Sequence, residues 1–265
     1  MSFKVLVYVK QVPEITDIKV DPETGTLIRE GVPSILNPFD EFAVEEALRI
    51  REKYGGEITV ISMGPPQAAE AVRKCLAMGV DHGILLTDRA FAGADTWATS
   101  LTLAEMARKL EYDLIICGKQ AIDGDTAQVG PEIAEHLGIP QITYARKVEL
   151  DPERNRVTVK RETEDGYEIV ECKLPVLLTA IKGLNEPRIP SLMGIMKAKK
   201  KEIQTITSAD LGLAEELIGL KGSPTQVVKV FPPQTRKGGE KTDALEDPAA
   251  GVERIMDYLG KEGFL

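Results

Sequence analysis

Asp113-Leu114-Ile115-Ile116-Cys117-Gly118-Lys119-Gln120-Ala121-Ile122-Asp123-Gly124-Asp125-Thr126-Ala127-Gln128-Val129-Gly130-Pro131 is the stretch whose reading decides the fold. An apolar run of strand length opens into a small, polar loop. The loop leads into residues 128–137, where apolar side chains recur at helical spacing. A strand that passes through a flexible loop into a helix is the repeating unit of open α/β sheets, which place ligands outside the carboxyl ends of their strands. Amides of Thr126, Ala127 and Gln128 at the start of that helix would point at an anion, and the helix dipole adds about 0.3–1 kcal/mol for a nearby charge. Phosphate suits such a place. Asp123 and Asp125 would repel it if they faced it, so Asp125 is expected to cap the helix and Asp123 to meet a hydroxyl or an amide. The competing reading is an ordinary strand-to-helix turn with a good cap.

Working outward, the same unit recurs. Apolar runs of strand length lie at residues 4–9, 58–62, 83–86, 113–117 and 176–181, and stretches of helical period lie at 42–54, 67–78, 96–110 and 128–137. Such alternation predicts an α/β fold of the doubly wound type, a mostly parallel sheet with helices on both faces. Asn37-Pro38-Phe39-Asp40 offers an N-cap, a proline at the first helical position and an early acid. Antiparallel hairpin insertions are expected at 16–31, around Asp21-Pro22-Glu23-Thr24-Gly25, and at 142–172, around Asp165-Gly166. Beyond Gly222 the prolines 224, 232 and 233 and glycines 238 and 239 break any long helix, leaving a final short helix at 248–259. The chain therefore divides into an α/β domain at 1–222 and a C-terminal arm at 223–265, too short to enclose a core of its own.

Composition removes several classes of function. In 265 residues there are three cysteines, with no C-x-x-C pair, and two histidines, which leaves no pattern for a disulfide framework, a metal centre or a histidine-based triad. A net charge of -9 argues against nucleic-acid binding, and no stretch approaches the roughly 20 apolar residues of a membrane span. The amino terminus enters its first strand without the pattern of a signal peptide, so a cytoplasmic protein is expected. Phosphate-loop, G-x-G-x-x-G, H-E-x-x-H and G-x-S-x-G signatures are missing, which weakens ATPase, simple dehydrogenase, zincin and hydrolase readings. No side chain reads as a catalytic acid or base, so any chemistry falls to a bound cofactor.

Three further loops leave strand ends on the same rim: Val9-Lys10-Gln11-Val12-Pro13, Met63-Gly64-Pro65-Pro66 and Ala92-Gly93-Ala94-Asp95-Thr96. Singly each is a turn, and Asp95 and Thr96 equally read as a helix cap; together they suggest a cleft. A second notable stretch runs from Asn185 to Lys201. There two prolines frame a loop that sets Leu192, Met193 and Ile195 beside a cationic run, in outline an apolar anchor with a charged rim. The plainer reading is a short core-facing helix with a solvated lysine end.

These segments together resemble the beta subunit of electron-transfer flavoproteins. The likeness rests on Val9-Lys10-Gln11-Val12-Pro13, Asn37-Pro38, residues 118–130, the stretch from Val159-Lys160-Arg161-Glu162 to Leu174-Pro175 with Leu177-Leu178-Thr179-Ala180, and residues 185–201, in order along almost the whole chain. The resemblance implies an adenine-nucleotide-binding α/β domain, a flavin-carrying alpha subunit as partner, and an arm that packs on that partner. Relatives hold either structural AMP in the cleft or, in the electron-bifurcating group, FAD. Asp123-Gly124-Asp125-Thr126-Ala127-Gln128-Val129-Gly130-Pro131-Glu132 and Gly222-Ser223-Pro224-Thr225-Gln226 are similar to the bifurcating group, whose small Gly124 and Ala127 leave room for a diphosphate.

On that resemblance NADH is the expected electron donor. Ferredoxin or flavodoxin, and through the alpha subunit's FAD an acyl-CoA dehydrogenase or quinone reductase, are the expected acceptors; NADH oxidation by this chain itself is left open. The site residues it implies, together with the loops above, are Val9, Lys10, Asn37, Gly64, Asp95, Thr96, Gly118, Gln120, Asp123, Gly124, Thr126, Ala127, Gln128 and Val129. Leu192 is implied as the anchor for a partner dehydrogenase, flanked by Met193 and Ile195, with Arg188 and Lys197 as rim charges. The alternative is a docking subunit with AMP merely filling the cleft.

Overall fold

The computed structural model describes residues 3–14, 19–20, 27–28, 33–228, 245 and 247–265. In chain order it runs β1 (Phe3–Tyr8), β2 (Gln11–Pro13), β3 (Lys19–Val20), β4 (Leu27–Ile28), β5 (Ser34–Leu36) and α1 (Pro38–Tyr54). Then come β6 (Gly56–Met63), α2 (Ala69–Met78), β7 (His82–Leu86), α3 (Thr96–Arg108), β8 (Leu114–Gly118) and α4 (Val129–Leu137). The long strands β9 (Gln141–Asp151), β10 (Arg156–Thr163) and β11 (Gly166–Lys173) precede β12 (Val176–Ala180), α5 (Leu192–Lys200), β13 (Ile203–Ile206), α6 (Ser208–Leu211) and α7 (Pro248–Lys261).

One sheet takes nine of these strands, in the order β11-β10-β9-β12-β8-β1-β6-β7-β13. From β9 across to β13 every neighbouring pair is parallel, while β10 and β11 extend the β9 edge as an antiparallel pair. The chain steps outward from β1 to β6 and β7, then returns to the far side of β1 as β8 and continues to β12. The direction of winding thus reverses between β1 and β8, and open sheets bind ligands at that reversal.

The central strands are apolar on both faces because both faces are covered. Val5 and Val7 of β1 enter a core with Val44 and Leu48 of α1, Val72 and Leu76 of α2, and Ala198 of α5. Leu6 and Tyr8, pointing the other way, join Leu103 and Ala107 of α3, Ile133 and Ala134 of α4, and Leu211 of α6. Fully burying one such large side chain contributes roughly 1.5–3 kcal/mol, so the two cores fix which face each helix covers.

The five strands read from the sequence stand within about two residues of those observed. α1 begins at Pro38, earlier than its apolar period suggests, because Pro38, Asp40 and Glu41 suit a first helical turn. Of the first hairpin, β3 and β4 pair antiparallel, and the turn at 21–26 lies outside the described residues. The expected insertion at 142–172 differs in one respect: β9 pairs parallel with β12 and so belongs to the main sheet. β13, the short β2–β5 pair and α5 have no counterpart in the strand and helix reading. Of the arm, residues 223–228, Leu245, Asp247 and α7 are described, whereas the expected breaks at 232, 233, 238 and 239 lie outside. Among the described residues no helix is long and apolar enough to cross a membrane.

Candidate functional site

The β1–β8 ladder ends at Tyr8 opposite Cys117. Beyond it the sheet forks: the Val9 amide donates to Ile61 of β6, and the Lys119 amide donates to Ala180 of β12. Two amides at the fork, those of Lys10 and Gly118, both donate to Asp40, at 2.7 Å to Oδ2 and 3.1 Å to Oδ1. Asp40 is buried, and burial pushes its carboxyl up to about 7; the Lys10 amide, the Asn37 side chain, the Gly118 amide and the Lys10 charge act in the opposite sense. Asn37, one turn earlier, grips the same two loops. Its amide donates to Lys10 carbonyl at 2.9 Å, its Nδ2 donates to Gln120 carbonyl at 2.9 Å, and its Oδ1 accepts from Ile122 amide at 3.2 Å. Position 118 has to be glycine, because a Cβ there would sit 2.2 Å from Asp40 Oδ1 and 2.8 Å from Asp40 nitrogen.

Past the fork opens a cleft of about 920 Å³. It brings together Val9, Lys10, Asn37, Asp95, Thr96, Gly118, Gln120, Gly124, Thr126, Ala127, Gln128 and Val129, all expected from sequence. Gly64 is not in its wall, although Met63 and Pro65 on either side are. Asp123 stands behind the wall with its carboxylate on Lys10 Nζ, at 2.8 and 2.9 Å, so its negative charge is matched before any ligand arrives.

Asp125 does not cap α4. The cap position is Gln128, without a side-chain bond, and Asp125 instead accepts from Gln120 Nε2. The reason is backbone shape: Asp125 and Ala127 both have φ of 54°, which turns the chain between them and the helix and carries the Asp125 side chain back along the loop. Left-handed non-glycine residues of this kind store strain and cluster at ligand sites. The amides of Thr126, Ala127 and Gln128 donate to no described residue and stand at the amino end of α4. A Cβ at Gly124 would meet nothing within 4 Å, so the loop is open on that side.

Asp95 does cap α3, accepting from the Ala98 amide at 3.1 Å. Its other oxygen accepts from Thr225, at 2.9 Å from the amide and 2.7 Å from the hydroxyl, while Asp95 amide donates to Ser223 Oγ at 2.8 Å. Burial works against the Asp95 charge, but the Thr225 hydroxyl and the Ala98 and Thr225 amides outweigh it and hold the carboxyl below its usual range. The start of the arm is thereby fixed on the cleft, whose wall includes Thr225 and Val227. Thr96 joins α3 to α4 through Gln128 and Glu132.

Sequence reading missed Asp40, Tyr8, Leu103 and Lys119 as cleft residues. In the sequence Asp40 stands out only as the early acid of a helix start, and Lys119 only as part of the loop after β8. None of these side chains is a prepared nucleophile: burial pushes the thiols of Cys75 and Cys117 and the phenol of Tyr8 far up, and the Tyr8 hydroxyl donates to Leu103 carbonyl.

A second region lies on α5. Ser191 caps this helix by accepting from Gly194 amide at 3.0 Å, and Arg73 of α2 donates to the carbonyls of Ala198 and Lys201 at its far end. Its small residues face inward. Ala198 is buried, and Gly194 approaches α2 so closely that a Cβ would lie 2.4 Å from Ala77 carbonyl. Its large apolar residues face outward: Leu192 is 75% exposed, Met193 62% and Met196 53%, with Ile195 and Lys197 also exposed. So the stretch read as a loop is a helix, as the plainer reading had it, but one that keeps its apolar side chains out of the core. Arg188 donates to Glu45 and Glu52 of α1, and its charge is matched within the chain.

The model of the family described as electron transfer flavoprotein domain matches residues 24–211. The chain is 60% identical to the electron transfer flavoprotein subunit beta of Thermoanaerobacterium thermosaccharolyticum, over 89% of this chain and 90% of that one. It is 53% identical to the caffeyl-CoA reductase-Etf complex subunit CarD of Acetobacterium woodii, over 89% and 90%. With protein FixA of Azotobacter vinelandii it shares 48% identity over 87% of this chain and 84% of that one.

Proposed function

The chain belongs to the electron transfer flavoprotein family, among its beta subunits, and from that premise we propose that its cleft holds FAD beside a flavin-carrying alpha subunit. A bound flavin would supply the redox chemistry that links NADH to ferredoxin or flavodoxin and, through the alpha subunit, to an acyl-CoA dehydrogenase or quinone reductase. The observation carrying this reading is the cleft at the β1–β8 fork. Its volume is near the upper end of ordinary ligand pockets, at about 300–1,000 Å³, and leaves room for a dinucleotide.

This chain's residues would bind and orient. The amides at 126–128, which donate to no described residue, and the start of α4 offer themselves to a diphosphate. Lys10, neutralising Asp123, keeps that carboxylate from repelling it. Gly124 lets backbone approach the ligand and Gly118 lets the loop close on Asp40, while Asn37 and Gln120 hold the loop and Asp95 and Thr96 hold the opposite wall. Val9 and Val129 complete the set proposed for the cofactor, without Gly64, which the wall does not include.

The outward apolar face of α5, Leu192 with Met193 and Ile195, is proposed as the anchor for the dehydrogenase, with Lys197 on its rim. A relative that is by name a subunit of a caffeyl-CoA reductase complex supports a partner acting on a CoA thioester. Arg188 would serve indirectly, by fixing the segment before α5 to α1. Residues 223–265 are proposed as the arm that packs on the alpha subunit. In α7 the exposed Val252, Ile255 and Met256 and the half-exposed Leu259 fall at i, i+3, i+4 and i+7, a stripe that needs a partner.

Denaturing the purified heterodimer and counting released nucleotides tests the cofactor reading. Two FAD per heterodimer and no AMP are expected. One FAD with one AMP would overturn the bifurcating version and leave the AMP-holding docking subunit.

A further inference from the structure

A parallel sheet that forks at its ligand edge leaves main-chain groups without partners, and each one buried is costly if nothing replaces the lost bond. Here the β1 and β8 ends each lose a neighbour, and the Lys10 and Gly118 amides turn to the same side chain. Asp40 is 5% exposed, lies in the wall of the cleft and comes from the first turn of α1, an element rigidly packed into the core. An ionised carboxylate accepts strongly on both oxygens, with no proton of its own to place. An asparagine sets a donor against one of the two amides, and a protonated aspartic acid keeps only the weaker acceptor of its hydroxyl oxygen there.

We infer that Asp40 is the positioning residue of this cleft: its two oxygens hold the forked ends of β1 and β8, and with them Lys10 and the loop 118–122, where a nucleotide meets them. This deepens the nucleotide-binding reading above and rests on it. Asn37 completes the clamp by holding Gln120 and Ile122 from the same helical turn. The clamp is strongest while Asp40 is ionised, so the cleft loosens as pH falls through about 7.

The charged and titratable groups around Asp40 come from several elements. From β1 come Lys10, paired with Asp123, and Tyr8, which burial keeps neutral. From α1 and α2 come Glu41, paired with Lys74, and the Cys75 thiol, kept neutral by burial. From β8 and the loop after it come the Cys117 thiol, also kept neutral, Lys119 over the rings of Phe39 and Tyr144, and Asp125 with Gln120.

The test uses the full-length chain in its heterodimer, freed of cleft nucleotide. Amide hydrogen exchange at Lys10 and Gly118 is followed between about pH 6 and pH 8, corrected for intrinsic rates, alongside FAD and AMP affinity. Wild type should lose protection of both amides on acidification. Affinity for whichever nucleotide binds should fall about tenfold, since the competent fraction at one pH unit below the transition is near one tenth. Asp40→Asn should show low protection and weak binding at every pH, with no transition. Protection that stays constant in wild type across this range overturns the inference, whether or not Asp40→Asn folds. So does an Asp40→Asn chain with the wild-type transition. If the amides behave as expected but neither FAD nor AMP binds, the nucleotide reading fails and the clamp stands.

Discussion

The cleft at the β1–β8 fork and the outer face of α5 are both surfaces left incomplete, and they are incomplete in opposite currencies. At the cleft the unmatched groups are polar: the amides of residues 126–128 have no acceptor among the described residues. On α5 they are apolar: Leu192, Met193 and Met196 lie in solvent while glycine and alanine take the inward positions. Each surface is held by precise contacts just behind it, Asp40 and Asn37 for the cleft, Gly194 and Arg73 for the helix. The lesson is that the rigid backing, rather than the exposed groups, carries the stability, so the two can be broken separately.

The largest effect is expected from Gly118→Ala. Its Cβ would strike the Asp40 side chain and backbone, and overpacking of this kind costs about 1–3 kcal/mol. A lowered unfolding midpoint and loss of cleft nucleotide are expected, with dehydrogenase docking intact; full retention of nucleotide would show that the fork yields. Gly194→Val is the mirror experiment. Contact with Ala77 carbonyl should lift α5 from α2 at a cost of about 1–3 kcal/mol, and electron delivery to the dehydrogenase should fall while nucleotide content holds.

Leu192→Ala sharpens the contrast further, because it removes an exposed group and leaves the backing alone. Stability should move by no more than about 0.5 kcal/mol, yet electron delivery should drop roughly tenfold or more if this leucine is a docking hot spot. Unchanged delivery would remove α5 from the docking account.

The smallest effect is expected from Asp95→Ala, which deletes the α3 cap and the tie to Thr225 for about 1 kcal/mol. Asp95 is held below its unfolded pKa, so its contribution is full above that unfolded value and disappears as pH falls through the lower folded one. Wild type and variant should therefore differ in urea midpoint at neutral pH and converge in strong acid. A gap that stays constant with pH would mean the carboxylate charge is not what binds the arm.

Legibility from sequence followed the range of the forces involved. Strands β1, β8 and β12 are buried on both faces, and continuous apolar runs such as Leu114-Ile115-Ile116 announce that directly. The rim loops were legible because glycine, proline and a capping aspartate mark strand-to-helix turns by local chemistry. Asp40 was not, since its partners are thirty and seventy-eight residues away in the chain and no local pattern records them. Asp125 was misread because two left-handed residues redirect the loop before the helix begins. β13 has only four residues, too few for period-two alternation to stand out.

Asp95 has one oxygen on the first turn of α3 and the other on Thr225, at the root of the C-terminal arm. In mechanical terms it is a hitch between a tow line and a chassis. A load applied along residues 223–228 is delivered to the amino end of α3, at the mouth of the cleft, before it reaches any strand of the sheet.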